Sequence, residues 1–237
     1  VSKRVQLLLR AARAYAEAGA HADAARCYDT LGWRWSAADA YHRAGDLEHA
    51  AETYRRAGHP DRAARCFRLL GRPDRAARCW QEAGSPLEAG WELLVAGRTE
   101  AAAPLLAAAT RTPPKAPAPL LRLRLAQELY RRIEDRAGPG RAAGPEPFSA
   151  LLAEVEQAIL TVSSRTERLR LLEWGVEAAD RIDRFDVSAA LFGAAHRPRR
   201  DQSAARAEVL ERWQDWAARR LGGTAWLPVP GATPVAG

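Results

Sequence analysis

Trp33 and Trp35 flank Arg34 in the string Gly-Trp-Arg-Trp-Ser, a grouping whose chemistry is recognition rather than bond-making. Indole rings bury large apolar areas and a guanidinium adds directed hydrogen bonds, so these residue types concentrate binding energy at interfaces. Arginines recurring at Arg13, Arg26, Arg65 and Arg78 offer a second surface of the same kind. Each group also has an architectural explanation. The tryptophans can pack on a neighbouring turn, and the arginines can form an ordinary solvated face.

Groups able to make bonds or hold a metal are present but poorly arranged. Cys27, Cys66 and Cys79 form no C-x-x-C pair, and zinc would need further thiols or imidazoles nearby. The histidines, His21, His42, His49, His59 and His196, have no ligand spacing. Asp180, Asp183 and Asp186 would fall roughly on one helical face, but Arg181 and Arg184 interleave, and Asp186 stands where the next helix could be capped. No phosphate-binding loop, G-x-G-x-x-G, H-E-x-x-H or G-x-S-x-G string occurs. The expectation is a chain with no catalytic residues, no cofactor and no metal, and not an enzyme.

The elements that would position these residues follow from a repeat. Gly19, Gly32, Gly45, Gly58, Gly71, Gly84 and Gly97 recur every 13 residues. Five residues after each glycine stands an alanine, from Ala24 to Ala102, with Ala11 beginning the row. Four further on come Tyr15, Tyr28, Tyr41, Tyr54, Phe67, Trp80, Leu93 and Leu106, and three beyond those Ala18, Leu31, Ala44, Ala57, Leu70, Ala83 and Ala96. The spacing i, i+4, i+7 predicts one buried helical stripe per frame. Ala25, Ala38, Ala51, Ala64 and Ala77 widen it, and all three cysteines share one row with Ala14, Ala40 and Thr53.

Punctuation fixes the phase independently. Pro60, Pro73 and Pro86 suit a first helical position, where a missing N–H leaves no bond unmade. Asp46 and Ser85 sit at the N-cap position, and each glycine reads as the left-handed residue ending the preceding helix. A two-residue turn leaves helices of about 11 residues, on the order of 16 Å long. Helices this short need neighbours to be stable. The predicted fold is therefore all-α, a right-handed α-solenoid of short antiparallel helix hairpins over residues 1–109.

Beyond it, the proline-rich TRTPPKAPAP at 110–119 reads as a stiff connector. A C-terminal helical domain follows at 120–221, either a bundle or a diverged continuation of the solenoid. Its predicted helices carry Leu121, Leu125, Leu129 and Ile133; Leu151, Leu152, Val155, Ala158 and Ile159; Leu169, Leu172, Trp174, Val176 and Ala179; a short one from Val187 to Ala195; and Val209, Leu210, Trp213, Trp216 and Ala217. Ser163 or Ser164 opens the third. The tail at 222–237 reads as extended or disordered, with Trp226 and Leu227 as docking residues.

The formal charge of +7 raises nucleic acid as a partner, with Arg122 through Arg141 the place to look, but the arginines are interspersed with acids. No apolar run could span a membrane and the start lacks a signal-peptide pattern, so a cytoplasmic protein is expected. Val1 at the start and the lack of methionine suggest a piece of a longer polypeptide.

The frames from residue 5 to 108, typified by Ala24, Tyr28 and Gly32, resemble tetratricopeptide-like short helical repeats, the variety also found in α-solenoids of vesicle-coat and intraflagellar-transport proteins. Two frames make a 26-residue hairpin rather than the family's 34, so its peptide-clamping positions do not carry over. The resemblance implies an interaction module, a scaffold or adaptor for a protein or peptide partner. The arginine-rich, lysine-poor composition looks actinobacterial, and such arrays accompany signalling or defence effectors. A sensor or regulatory domain controlling an attached NTPase or protease is thus a second expectation, and a nucleic-acid-binding repeat a third.

Overall fold

A computed structural model describes residues 2–137, 146–197 and 203–223, and every regular element among them is a helix. In order these are α1 (Lys3–Glu17), α2 (His21–Thr30), α3 (Arg34–Arg43), α4 (Leu47–Arg56), α5 (Pro60–Leu69), α6 (Pro73–Glu82), α7 (Pro86–Val95), α8 (Thr99–Arg111), α9 (Pro117–Ala137), α10 (Glu146–Thr161), α11 (Arg165–Asp180), α12 (Phe185–His196) and α13 (Ser203–Leu221). The tail with Trp226 and Leu227, and Arg141, lie outside the described residues. No helix described is long and apolar enough to cross a membrane. Contacts divide the chain into two compact units, Val1–Arg111 and Thr112–Gly237.

The first unit is a solenoid-like stack in which each helix from α1 to α8 packs on the next. All seven repeat glycines have positive φ, from 66° to 79°. Each makes the same pair of hydrogen bonds. The residue after the glycine donates to the carbonyl of the aromatic row, as Ala20 does to Tyr15 (2.8 Å) and Trp33 to Tyr28 (2.9 Å). The glycine N–H bonds to the carbonyl three residues back, as Gly32 does to Asp29 (2.9 Å). This is the Schellman stop, which satisfies carbonyls that a helix end leaves open.

The stop also corrects the predicted stripe. Helices α2 to α7 are 10 residues long because the turn takes three residues, C-cap, glycine and N-cap, rather than two. The expected third buried row from Ala18 to Ala96 is the row of C-caps, and none of its members is buried. Two adjacent alanine columns form the seam instead, with Ala24, Ala25, Ala37, Ala38, Ala50, Ala51, Ala63 and Ala64 wholly buried. The aromatic row is exposed at Tyr15 in α1, half-buried at Tyr28 and Tyr41, and buried from Tyr54 to Leu106. Gly90 serves packing, since a Cβ there would meet Leu106 Cδ2 at 2.8 Å.

N-terminal signals divide. Asp46 caps α4 by accepting from the His49 N–H (3.2 Å), whereas Ser85 occupies its N-cap without a side-chain bond. Burial pushes the Asp46 carboxyl up, but the side-chain and backbone hydrogen bonds from His49 outweigh it and hold the group below its ordinary value. A lowered folded pKa means that this stabilisation is present at neutral pH and is lost as pH falls through the folded value. Cys66 and Cys79 are buried in the row the repeat assigned them, and Cys27 is half-buried. Burial pushes the Cys66 thiol up to about 11 and raises Cys79 as well.

The second unit is a small helical bundle. Besides contacts between neighbours, α9 packs on α11 and α10 on α12. Helices invade the proline-rich stretch from both sides: Arg111 ends α8, while Pro117 and Pro119 lie in the first turn of α9, where no intrahelical N–H bond is broken. Ser164 is the N-cap of α11, accepting from the Glu167 N–H (3.3 Å). Four predicted core residues are not buried, Ile133 and Ala158 being half-buried. Leu169 is half-buried and Leu210 exposed; Arg168 is buried beside Leu169, while the rest of the predicted α11 stripe, Leu172, Trp174, Val176 and Ala179, is buried as expected.

Two measurements check this architecture. Gly58→Ala should cost about 1–2 kcal/mol in urea unfolding, and Gly58→Asn less, because an added Cβ meets nothing within 4 Å and only the left-handed backbone is penalised. Ellman's reagent at mildly alkaline pH should modify Cys27 first and reach Cys66 and Cys79 only on unfolding; rapid modification of all three in native protein would contradict the burial.

Candidate functional site

Trp33, Arg34 and Trp35 lie at the N-terminus of α3, and their side chains reach in different directions. Trp33 is the residue after the stop glycine, and its ring stacks on Tyr28 of α2 (centroids 6.2 Å apart, planes 11° apart). That is the apolar contact which commonly accompanies a Schellman stop. Trp35 points forward. It meets His59 (4.4 Å) and Tyr54 (5.5 Å) edge to face, and the Arg62 guanidinium lies over its ring at 5.5 Å. Arg34 donates to the carbonyl of Arg56 (3.3 Å) at the end of α4, a favourable place for a cation. Local packing thus holds the tryptophans in place, yet they remain 45% and 43% exposed. Each is pinned on one side and open on the other.

The position of Trp35 has a structural counterpart. Glu48 of α4 accepts from Arg72, the N-cap of α6, and from Arg75 within α6, 24 and 27 residues later, both at 2.7 Å. Trp35 meets His59 and Arg62 at the same offsets. Asp74 and Arg98 repeat the first offset at 4.0 Å. Helices two apart therefore lie side by side and parallel, and the same inter-frame contact is filled by a carboxylate at Glu48 and Asp74 and by an indole at Trp35. His59 and Arg62 belong to the site although the sequence reading did not single them out; the 24- and 27-residue offsets were the signal available.

The arginine row does not form one stripe. Because consecutive helices alternate, Arg13 (α1) and Arg65 (α5) belong to one layer with Asp39 of α3 between them, and Arg26 (α2) and Arg78 (α6) to the other with Glu52 of α4 between. Arg13, Arg26, Arg65 and Arg78 are all exposed, and Arg26 is ion-paired with Asp23 of its own helix. None of these four stands on α3, whose N-terminus carries Trp33, Arg34 and Trp35.

The three aspartates of the second unit have three separate tasks. Asp180 accepts from Ser188 Oγ (2.9 Å), Trp216 Nε1 (3.0 Å) and Arg220 Nε (3.1 Å), tying α11 to α12 and α13. Asp183 adopts φ 61° and makes the α11 stop that glycine makes elsewhere, with the Arg184 N–H bonded to the Ala179 carbonyl (3.0 Å). Asp186 is not the N-cap of α12, which is Arg184; it lies in the first turn and accepts twice from the Arg184 guanidinium (2.8 and 2.7 Å). Among the described residues no three His, Cys, Asp or Glu side chains gather as a metal site.

Four arginines of the basic segment, Arg122, Arg124, Arg131 and Arg132, are engaged within the protein. Arg122 is buried beside Glu167 (3.5 Å) and over Trp174 (5.2 Å); Arg124 forms a two-pronged bond to Glu154 (2.6 and 3.1 Å). Arg131 pairs with Glu128 and Asp135, and Arg132 lies over Phe148 (5.3 Å). An open groove of about 720 Å³ runs between α9 and α10, with Leu120, Leu121, Ala150 and Ala153 on its walls. Comparison with protein-family models, curated proteins and solved structures returns no match for this chain.

A double-mutant cycle checks the core of the site. Trp35→Ala and Arg62→Ala should couple by about 0.5–1 kcal/mol in urea unfolding, the range for an exposed cation over an aromatic ring. Strict additivity would mean that the contact contributes nothing in solution.

Proposed function

We propose that the chain is a protein-interaction module, a scaffold or adaptor built on tetratricopeptide-like repeats and belonging to a larger bacterial protein or complex. The observation that carries this reading is the pair Trp33 and Trp35. Both are half-exposed at frame positions where most other repeats carry small or polar residues. Large rings left open beside arginine are what a partner's apolar side chains require. The seam of buried alanines accounts for the fold without needing either indole open.

Binding of nucleic acid has less support. A basic stripe that tracks a phosphate backbone needs several unengaged cations in line. Here the rows alternate with Asp39 and Glu52, and Arg122, Arg124, Arg131 and Arg132 already have partners within the fold.

Affinity capture with the full chain tests the proposal. Proteins recovered by the natural sequence should be lost when Trp33 and Trp35 are both changed to alanine, with circular dichroism confirming that helices persist. Unchanged recovery would remove the site from the proposal.

A further inference from the structure

We infer that the Trp33–Trp35 site takes a short acidic peptide segment, whose carboxylates meet Arg34, Arg56 and Arg62 while an apolar side chain between them lies on the open indole faces. The inference rests on the interaction reading above and adds the chemistry of the partner. Its basis is a local imbalance of charge. Several arginines of the first unit meet carboxylates: Arg26 with Asp23, Arg43 with Asp39, Arg55 with Glu52, Arg72 and Arg75 with Glu48, and Arg98 with Asp74. Exposed arginines such as Arg10, Arg13 and Arg78 do not, and neither do the three around the tryptophans, which differ in standing beside half-exposed indole rings. Arg34 donates to the Arg56 carbonyl, Arg56 to Thr53 Oγ1 (3.2 Å), and Arg62 lies over the Trp35 ring. None of these three is ion-paired with a carboxylate of the described residues.

The repeat explains how the imbalance arises. The inter-frame contact that Glu48 makes with Arg72 and Arg75 is made by Trp35 with His59 and Arg62. An indole there keeps the attraction for the arginine, through the ring face, but contributes no negative charge. Arg62 therefore has no carboxylate partner at this contact and lies over one half-exposed ring, that of Trp35. Carboxylates on a partner would supply the missing charge, and arginine favours them through paired N–H donors. Charge complementarity of this sort selects partners and speeds encounter. Asp39 acts on Tyr54 together with Arg62, and Asp29 and Asp46 act on Tyr41 together with Arg56, so carboxylates border the basic region, which favours a short acidic segment over a continuous phosphate chain.

Selection of a randomised peptide library on the full chain tests the inference. Enriched peptides should carry an excess of Asp and Glu around an apolar residue. Their affinity should fall about tenfold or more on Arg62→Glu, by a smaller factor on the milder Arg62→Gln, and be lost when Trp33 and Trp35 are both alanine. Circular dichroism on each variant separates lost binding from lost folding, and Arg62→Gln retains the aliphatic stem if the reversal disturbs the helix. Peptides that need both tryptophans but show no acidic excess and ignore Arg62 would overturn the acidic assignment and leave the interaction reading standing. Selected peptides that bind independently of Trp33 and Trp35 would overturn both. Oligodeoxythymidylate binding more tightly than any selected peptide, through the same residues, would overturn both in favour of a nucleic-acid ligand.

Discussion

The left-handed turn that stops each helix is the constraint on which the first unit depends. A glycine every 13 residues ends a helix after 10, and the two hydrogen bonds of the stop close its last carbonyls without help from solvent or side chains. So short a helix is marginal alone, so stability has to come from packing on its neighbours. Alanine at two adjacent positions lets successive helices approach closely, and the bulky row beside the stop fills the remaining space. The array is thus governed by nearest-neighbour interfaces, as in other helical solenoids.

The same periodicity determines where a surface can become distinctive. Identical stops place equivalent positions of alternate helices side by side, so one inter-frame contact recurs along each layer. Glu48 with Arg72 and Arg75 and Asp74 with Arg98 fill it with opposite charges, whereas Trp35 fills it with a ring. Trp33 uses the apolar contact of its own stop. Both tryptophans are therefore explained by the repeat on their packed sides and left unexplained on their open sides. That residue of exposed aromatic surface, together with unneutralised arginines, is what the functional proposal rests on.

Much of this was legible from residue types and spacing. The glycine interval, proline at first helical positions and alanine columns led to short stacked helices, because each signal has a local cause that survives folding. Other features depended on alternation through space. The arginines at Arg13, Arg26, Arg65 and Arg78 look like one row in sequence, but successive antiparallel helices distribute them between two layers. The row from Ala18 to Ala96 continues the helical period on paper, yet each member has become a C-cap because the stop takes one residue more than a minimal turn. His59 and Arg62 are distant from Trp35 in the chain and join it only through the two-frame offset. In the second unit, Asp183 takes the conformation that glycine takes elsewhere, so its stop carried no glycine signal, and at the start of α11 the charged Arg168 is buried while the apolar Leu169 beside it is only half-buried.

Duplicating the two-frame segment His59–Gly84 and inserting the copy after Gly84 tests the nearest-neighbour account most directly, since it adds interfaces of the existing kind and keeps every later helix in its layer. The account predicts a helical circular dichroism signal that rises with the added length, one cooperative urea transition, and a midpoint no lower than that of the natural chain. Loss of helical signal, or unfolding at lower urea, would contradict it.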